Sequence, residues 1–172
     1  MSEIKFGTDG WRAIIAKDFT VENVERVAEA TAKWLKSKHA NPTVTVGHDC
    51  RFAGELFAET VVKVMGKHGI KSYLSKGFVS TPMISLGTVN LKTDLGIIIT
   101  ASHNPPAYNG FKLKGSYGGP LLPDMVAEIE KLIPVKSDVH SEAIALKDLE
   151  HKNLLEYVDL ETMYVKHNTW QN

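Results

Sequence analysis

Short runs of branched apolar residues alternate along the chain with longer stretches whose apolar positions recur every three or four residues. The opening Phe6-Gly7-Thr8-Asp9-Gly10-Trp11-Arg12-Ala13-Ile14-Ile15 reads as a tight glycine-rich loop feeding a strand. Thr20 stands where a helix cap belongs, and Val21, Val24, Val27, Ala28, Thr31 and Leu35 follow at helical spacing. Asn41-Pro42 breaks that helix, and Thr43–Val46 is a short β-rich run. A second helix is expected from Gly54 to His68, with Leu56, Val61, Val64 and Met65 inward and Gly69 as its stop. Ile70–Leu74 reads as a strand, and Thr81-Pro82 opens a third helix with proline at its first position. Asp94–Thr100 predicts a strand buried on both faces, because Ile97-Ile98-Ile99 lacks polar alternation. The loop Ala101–Asn109, a short strand Gly110–Lys114 and a helix from Pro123 to Ile133 follow.

This alternation predicts an α/β fold, a three-layer α/β/α domain around a mostly parallel mixed sheet, over residues 1–135. Beyond Pro134 the pattern weakens. Residues 136–172 read as a polar linker, Lys136–His140, and a helix over Leu149–Tyr164 with no strand after it. The ending His167-Asn168-Thr169-Trp170-Gln171-Asn172 carries no stop signal, so a piece of a longer protein is expected.

Composition narrows the function classes. The chain has 172 residues, 43% hydrophobic and 23% charged, which suits a folded domain. Its 20 Lys plus Arg equal its 20 Asp plus Glu, and this balance argues against a broad nucleic-acid-binding surface. A local cationic pocket remains compatible with it. No apolar run approaches a membrane span, and the start lacks the pattern of a secretory signal. The single cysteine, Cys50, reads as a small buried filler and suits a reducing compartment, so a cytoplasmic protein is expected.

The densest chemistry lies in Thr100-Ala101-Ser102-His103-Asn104-Pro105-Pro106-Ala107-Tyr108-Asn109-Gly110-Phe111-Lys112. Here a serine sits at the carboxyl end of a buried strand, where open α/β sheets place ligands. Paired prolines and Asn-Gly then stiffen the loop and can hold one hydroxyl outward. Ser102 and Asn104 could equally be ordinary turn residues satisfying backbone groups. Gly115–Pro120 lacks the Lys-Ser/Thr ending of a nucleotide P-loop. A hydrolytic Ser102–His103 pair is disfavoured, since adjacent side chains point apart and the G-x-S-x-G elbow is missing. The remaining histidines have no metal-ligand spacing.

The stretch Thr100–Lys112 resembles, without a gap, the active-site loop of the α-D-phosphohexomutases, T-[AG]-S-H-N-P-x-x-x-N-G-[FIL]-K. Phe6–Arg12 is similar to that family's opening motif, and the resemblance covers roughly residues 4 to 133. Pro105-Pro106 with Phe111-Lys112 is more like the phosphoglucomutase/phosphomannomutase branch than the phosphoglucosamine branch.

The resemblance implies that Ser102 carries a phosphoryl group between hexose 1-phosphate and hexose 6-phosphate through a hexose 1,6-bisphosphate. It implies phosphate contacts from Arg12 and Arg51, the latter in Gly47-His48-Asp49-Cys50-Arg51. It gives Lys112 proton transfer or charge balance at the sugar hydroxyl. His103 either donates to the phosphate or acts in proton transfer, or else orders the loop, and Asn104 lies at the phosphate or braces the loop. Mg²⁺ would be held by the Ser102 phosphate together with a D-G-D-G-D-R loop of another domain. That loop, the sugar-selecting loop with Glu and Ser, and the Arg-Ser-Gly-Thr clamp do not occur in this chain. The expected partners are therefore a phosphorylated hexose and the remaining domains of a longer enzyme, with no nucleic acid or membrane. The chain is expected to be inactive alone. A non-enzymatic sugar-phosphate-binding or scaffold domain is the rival expectation.

Overall fold

A computed structural model describes residues 3–169. The strands are β1 (Trp11–Ile14), β2 (Thr43–His48), β3 (Lys71–Ser75), β4 (Leu95–Ile99), β5 (Tyr108–Gly115) and β6 (Leu155–Val158). They form one mixed sheet in the order β1-β5-β4-β2-β3-β6. The pairs β2–β3, β2–β4 and β3–β6 are parallel, and β1–β5 and β4–β5 are antiparallel. The helices α1 (Val21–Lys38), α2 (Gly54–Lys67), α4 (Pro123–Lys131) and α5 (Leu146–His151) gather on one face, and α3 (Thr81–Asn90) and α6 (Leu160–Thr169) cover the other. The fold is a three-layer α/β/α domain. Among the described residues no helix is long and apolar enough to cross a membrane.

The larger core lies under α1 and α2, where Val27, Leu35, Val61 and Met65 meet Ile97, Ile99 and Phe111. A smaller cluster, Val79, Ile84, Ile98 and Leu160, lies under α3 and α6. Burial of Ile97, Ile98 and Ile99 on both faces explains the unbroken apolar run of β4. Thr20 caps α1 as its position predicts, its Oγ1 accepting from Asn23 N–H at 3.2 Å. Leu56 departs from the expected inward face and is exposed. The helix instead buries Phe57, Val61, Val64 and Met65, a true i, i+4, i+7, i+8 stripe.

The tail also differs from its expected linker and single helix. Residues 134–141 are strapped onto α1 by side chains one turn apart. Arg26 Nε donates to Pro134 O at 2.7 Å, while Glu29 accepts from Ser137 Oγ at 2.6 Å and from Asp138 N–H at 3.0 Å. Glu25 accepts both from the N–H and the Oγ of Ser141. The Leu149–Tyr164 stretch is broken at Asn153, which takes φ of 57°. After it the chain pairs as β6 along β3, and Leu160 of α6 enters the smaller core.

Burial pushes the Glu29 carboxyl up, but hydrogen bonds from Lys33, Ser137 and Asp138 N–H outweigh it and hold it below its usual range. A lowered native value means stability that is complete above the unfolded value and is lost as pH falls through the native one. Glu29→Ala leaves buried donors unpaired and is expected to cost about 2 kcal/mol in urea unfolding at pH 7. The variant's deficit should shrink progressively as the pH falls below about 4.5. A deficit unchanged down to pH 2 would contradict the ionised clamp.

Candidate active site

The Ser102 loop is the connection that joins the antiparallel strands β4 and β5. Ala101 is buried, and Ser102 and His103 are exposed. Ser102 takes φ of 50°, a left-handed conformation that costs a non-glycine residue about 1 kcal/mol or more. Its N–H donates to Thr100 Oγ1 at 3.1 Å, and Thr100 Oγ1 in turn donates to Asp49 Oδ2 at 2.5 Å. Because β2 and β4 run parallel, Asp49 and Arg51 leave β2 beside this loop.

Arg51 meets the loop differently from the expected phosphate contact. Its Nη1 donates to the carbonyls of Pro105 (2.9 Å) and Tyr108 (3.0 Å), and its Nη2 to those of Ser102 (2.9 Å) and Asn104 (2.6 Å). Asp49 accepts from Arg51 N–H at 3.0 Å and lies 3.6 Å from Nε. Four carbonyls occupy both terminal nitrogens, so the guanidinium fixes loop shape instead of pointing outward.

Lys112 lies in the middle of β5, not at an exposed strand end, and is 4% exposed. Strand alternation sends Phe111 and Leu113 into the larger core and Lys112 and Lys114 to the other face, Lys112 opposite Ile98. From there Lys112 Nζ donates to Ser102 Oγ at 2.7 Å and to Asp9 Oδ2 at 2.6 Å. Arg12 sits on β1 opposite Gly110. A Cβ at Gly110 would collide with Thr100 O and lie 3.1 Å from Arg12 Cγ, so the bare backbone lets Arg12 cross the strand. Arg12 Nη1 then donates to Asn104 Oδ1 at 2.7 Å and Nη2 to Asp9 Oδ2 at 3.0 Å.

Asn104 thus holds Arg12 as well as lying in the loop. An open cleft of about 470 Å³ is lined by Lys5, Asp9, Arg12 and His103 with Gly7, Thr8 and Gly10. Among the described residues the His103 ring has no hydrogen-bond partner. Lys114 is buried beside this group, and burial lowers its amine's pKa, with Asp9 opposing. Cys50 is exposed, contrary to the expected buried filler.

The sequence reading missed Asp9, Asp49 and Thr100. Asp9 had one available signal, an acid set between glycines in the loop before Arg12. Among the described residues no three His, Cys, Asp or Glu gather as a metal site. Asp9 and Asp49 are already engaged by cations and Thr100. Among the described residues these two carboxylates are therefore committed to the loop and the cations, not gathered as a metal site.

Arg51→Lys retains the charge but cannot span four carbonyls. It is expected to lower stability by about 2 kcal/mol and to speed amide exchange at Asn104 and Tyr108, whose N–H groups bond within the loop. Unchanged exchange there would mean that the loop holds itself.

The model of the phosphoglucomutase/phosphomannomutase alpha/beta/alpha domain I matches residues 3–139. The phosphoglucomutase of Staphylococcus haemolyticus (strain JCSC1435) is 35% identical over 135 residues, covering 77% of this chain and 25% of that protein. The phosphoglucomutase of Staphylococcus aureus (strain bovine RF122 / ET3-1) is 37% identical over 129 residues, covering 72% and 23%. A crystal structure from Thermus thermophilus, provisionally described as a phosphomannomutase, superposes with a TM-score of 0.85 at 36% identity. That match covers 96% of this chain and 35% of the other. The chain spans about a quarter to a third of the length of these relatives. On the match over residues 3–139, the chain belongs to the phosphoglucomutase/phosphomannomutase family, as its alpha/beta/alpha domain I.

Proposed function

We propose that this chain is the phosphoryl-carrying domain of a hexose-phosphate mutase, with Ser102 as the carrier. The reaction would interconvert hexose 1-phosphate and hexose 6-phosphate through a hexose 1,6-bisphosphate. The observation that supports this most directly is Lys112 Nζ at 2.7 Å from the Ser102 hydroxyl oxygen, with Arg12 bound to the same carboxylate as Lys112.

A phosphoserine carries a charge of about −1.5 to −2 near neutral pH, and its transfer needs cations fixed around the moving oxygens. Lys112 stands at the bond that breaks. As Oγ–P breaks and the phosphoryl group bonds to a sugar hydroxyl oxygen, Lys112 Nζ gives its proton to Oγ and the sugar hydroxyl releases one to solvent. When Ser102 Oγ attacks the bisphosphate, Nζ takes the proton back and the departing sugar oxygen regains one. Arg12, oriented by Asn104, and the exposed His103 face the phosphoryl oxygens from the cleft. Arg51 acts on the same chemistry by fixing the loop. The left-handed backbone at Ser102 holds its hydroxyl in one orientation, where Lys112 Nζ meets it.

Mg²⁺ would add further neutralisation of the phosphate when bound, and of this chain's groups only the Ser102 phosphate would contact it. The metal's other ligands and the sugar-selecting groups belong, in this proposal, to further domains of a longer enzyme. The same proposal places the protein in the cytoplasm.

Peptide mapping of the protein, as isolated from its native cells and after incubation with a hexose 1,6-bisphosphate, should find one phosphate on Ser102. Stoichiometric phosphate elsewhere with Ser102 bare would refute the assignment. Lys112→Met keeps an unbranched stem in the buried position but loses the amine. In the complete enzyme it should lower kcat/KM by roughly two orders of magnitude or more while the protein still melts cooperatively. Near-normal kcat/KM would remove Lys112 from the transfer step.

A further inference from the structure

We propose that Asp9 is a stand-in anion: its carboxylate holds Arg12 and Lys112 together in the unphosphorylated protein and yields them to a phosphoryl group on Ser102. This rests on the phosphoserine reading above.

One oxygen, Asp9 Oδ2, accepts from Lys112 Nζ at 2.6 Å and from Arg12 Nη2 at 3.0 Å. The same Nζ touches Ser102 Oγ at 2.7 Å. The carboxylate thus bridges the two cations nearest the hydroxyl that would carry phosphate. A phosphoryl group on Oγ brings three strong acceptor oxygens to the same donors. Two acceptors of like charge cannot both keep them at full strength, and the more highly charged phosphate is the stronger competitor.

The placement is built into the backbone. Gly7 N–H closes a turn onto Gly10 O at 3.0 Å, and Gly10 takes φ of 95°. A Cβ at Gly10 would lie 2.6 Å from Phe111 O and 3.0 Å from Lys112 Cγ. Glycine alone lets this loop lie against β5 and set Asp9 beside Lys112. Asp9 is also placed to yield, because its side chain is 50% exposed on a short loop at the mouth of the cleft.

The charged groups facing Asp9 are Arg12, Lys112 and Lys114, with Lys5 and His103 across the cleft. Burial pushes the Asp9 carboxyl up, and Lys112, Arg12 and Lys114 together more than reverse it. The group is therefore ionised at neutral pH, as a substitute for phosphate needs to be.

The test is titration of the ¹⁵N-labelled chain with inorganic phosphate, against chloride at matched ionic strength, for wild type, Asp9→Asn and Arg12→Ala. Asparagine has the shape of aspartate at this half-exposed position, and the amide spectrum itself reports the fold. Asp9→Asn should bind phosphate at least about threefold more tightly than wild type, with shifts at Ser102, Arg12 and Lys112, and Arg12→Ala should bind it more weakly. If Asp9→Asn binds equally or less well while Arg12→Ala still weakens binding, the stand-in role is overturned and the phosphate reading survives. If phosphate moves none of these amides in wild type or Asp9→Asn, both fall.

Discussion

Lys112 and Lys114, and through β1 Arg12, take their positions from the register of β5 on β4. Antiparallel pairing sets Phe111 opposite Ile99 and Leu113 opposite Ile97, all facing the larger core. The residues that alternate with them, Gly110, Lys112 and Lys114, are thereby forced to the opposite face. A slip of one residue would drive Lys112 into that core and turn Phe111 out of it, against Asp9 and Ser102. Removing Phe111 from water alone is worth roughly 2–3 kcal/mol, and desolvating an unpaired ammonium costs more. Packing on one face of β5 thus fixes chemistry on the other. It also fixes Arg12, because β1 reads its own register from Gly110.

The loop between these strands is held by a residue that reaches it from a different strand. A left-handed serine persists only where its surroundings determine its backbone. Here the determining group is the Arg51 guanidinium on four loop carbonyls, with Asp49 and Thr100 closing the network behind Ser102 N–H. Hydrogen bonds to a charged donor are worth about 1.5–3 kcal/mol each, against a backbone cost of about 1 kcal/mol or more. The balance favours the strained form by a wide margin even if only some of those bonds survive solvent competition. The side chains of Asp49 and Arg51 can serve this loop because β2 and β4 are parallel neighbours, so their carboxyl ends open on the same edge.

The elements through α4 were legible because burial stamps its period on the sequence: the Ile97–Ile99 run, the Thr20 cap and Pro82 and Pro123 at helix starts all meant what they predict. Burial also explains the failures. β6 is a four-residue edge strand with Leu155 buried and Glu156 and Tyr157 exposed, too short to separate from a helical period. The left-handed Asn153, a helix-stopping residue type, was its one usable signal. The linker reading failed because Ser137 and Ser141 are polar yet buried, their partners Glu25 and Glu29 lying over a hundred residues earlier. At the site, the motif brought Ser102, Lys112, Arg12, His103 and Asn104 to one place. It could not separate an arginine that lines the cleft from one turned onto the loop, since Arg12 and Arg51 differ only in what surrounds them.

A chain of zero formal charge also holds a strongly cationic cleft, and the two facts are compatible through distance. Lys33, Lys38 and Lys71 are neutralised where they stand, by Glu29, Glu128 and Glu156. Exposed charges are screened over about 8 Å at physiological ionic strength, so these distant pairs contribute little to the field in the cleft. What a ligand meets there is Arg12, His103 and a Lys5 that pairs with Glu3, against the carboxylate of Asp9, with Lys112 buried behind that carboxylate. Overall balance therefore argues only against a broad basic surface. Buried cations this close repel one another and lose water, and an anion lying among them offsets part of that cost. Asp9 meets that condition within the chain itself, so the cationic face of β5 can form before any ligand arrives.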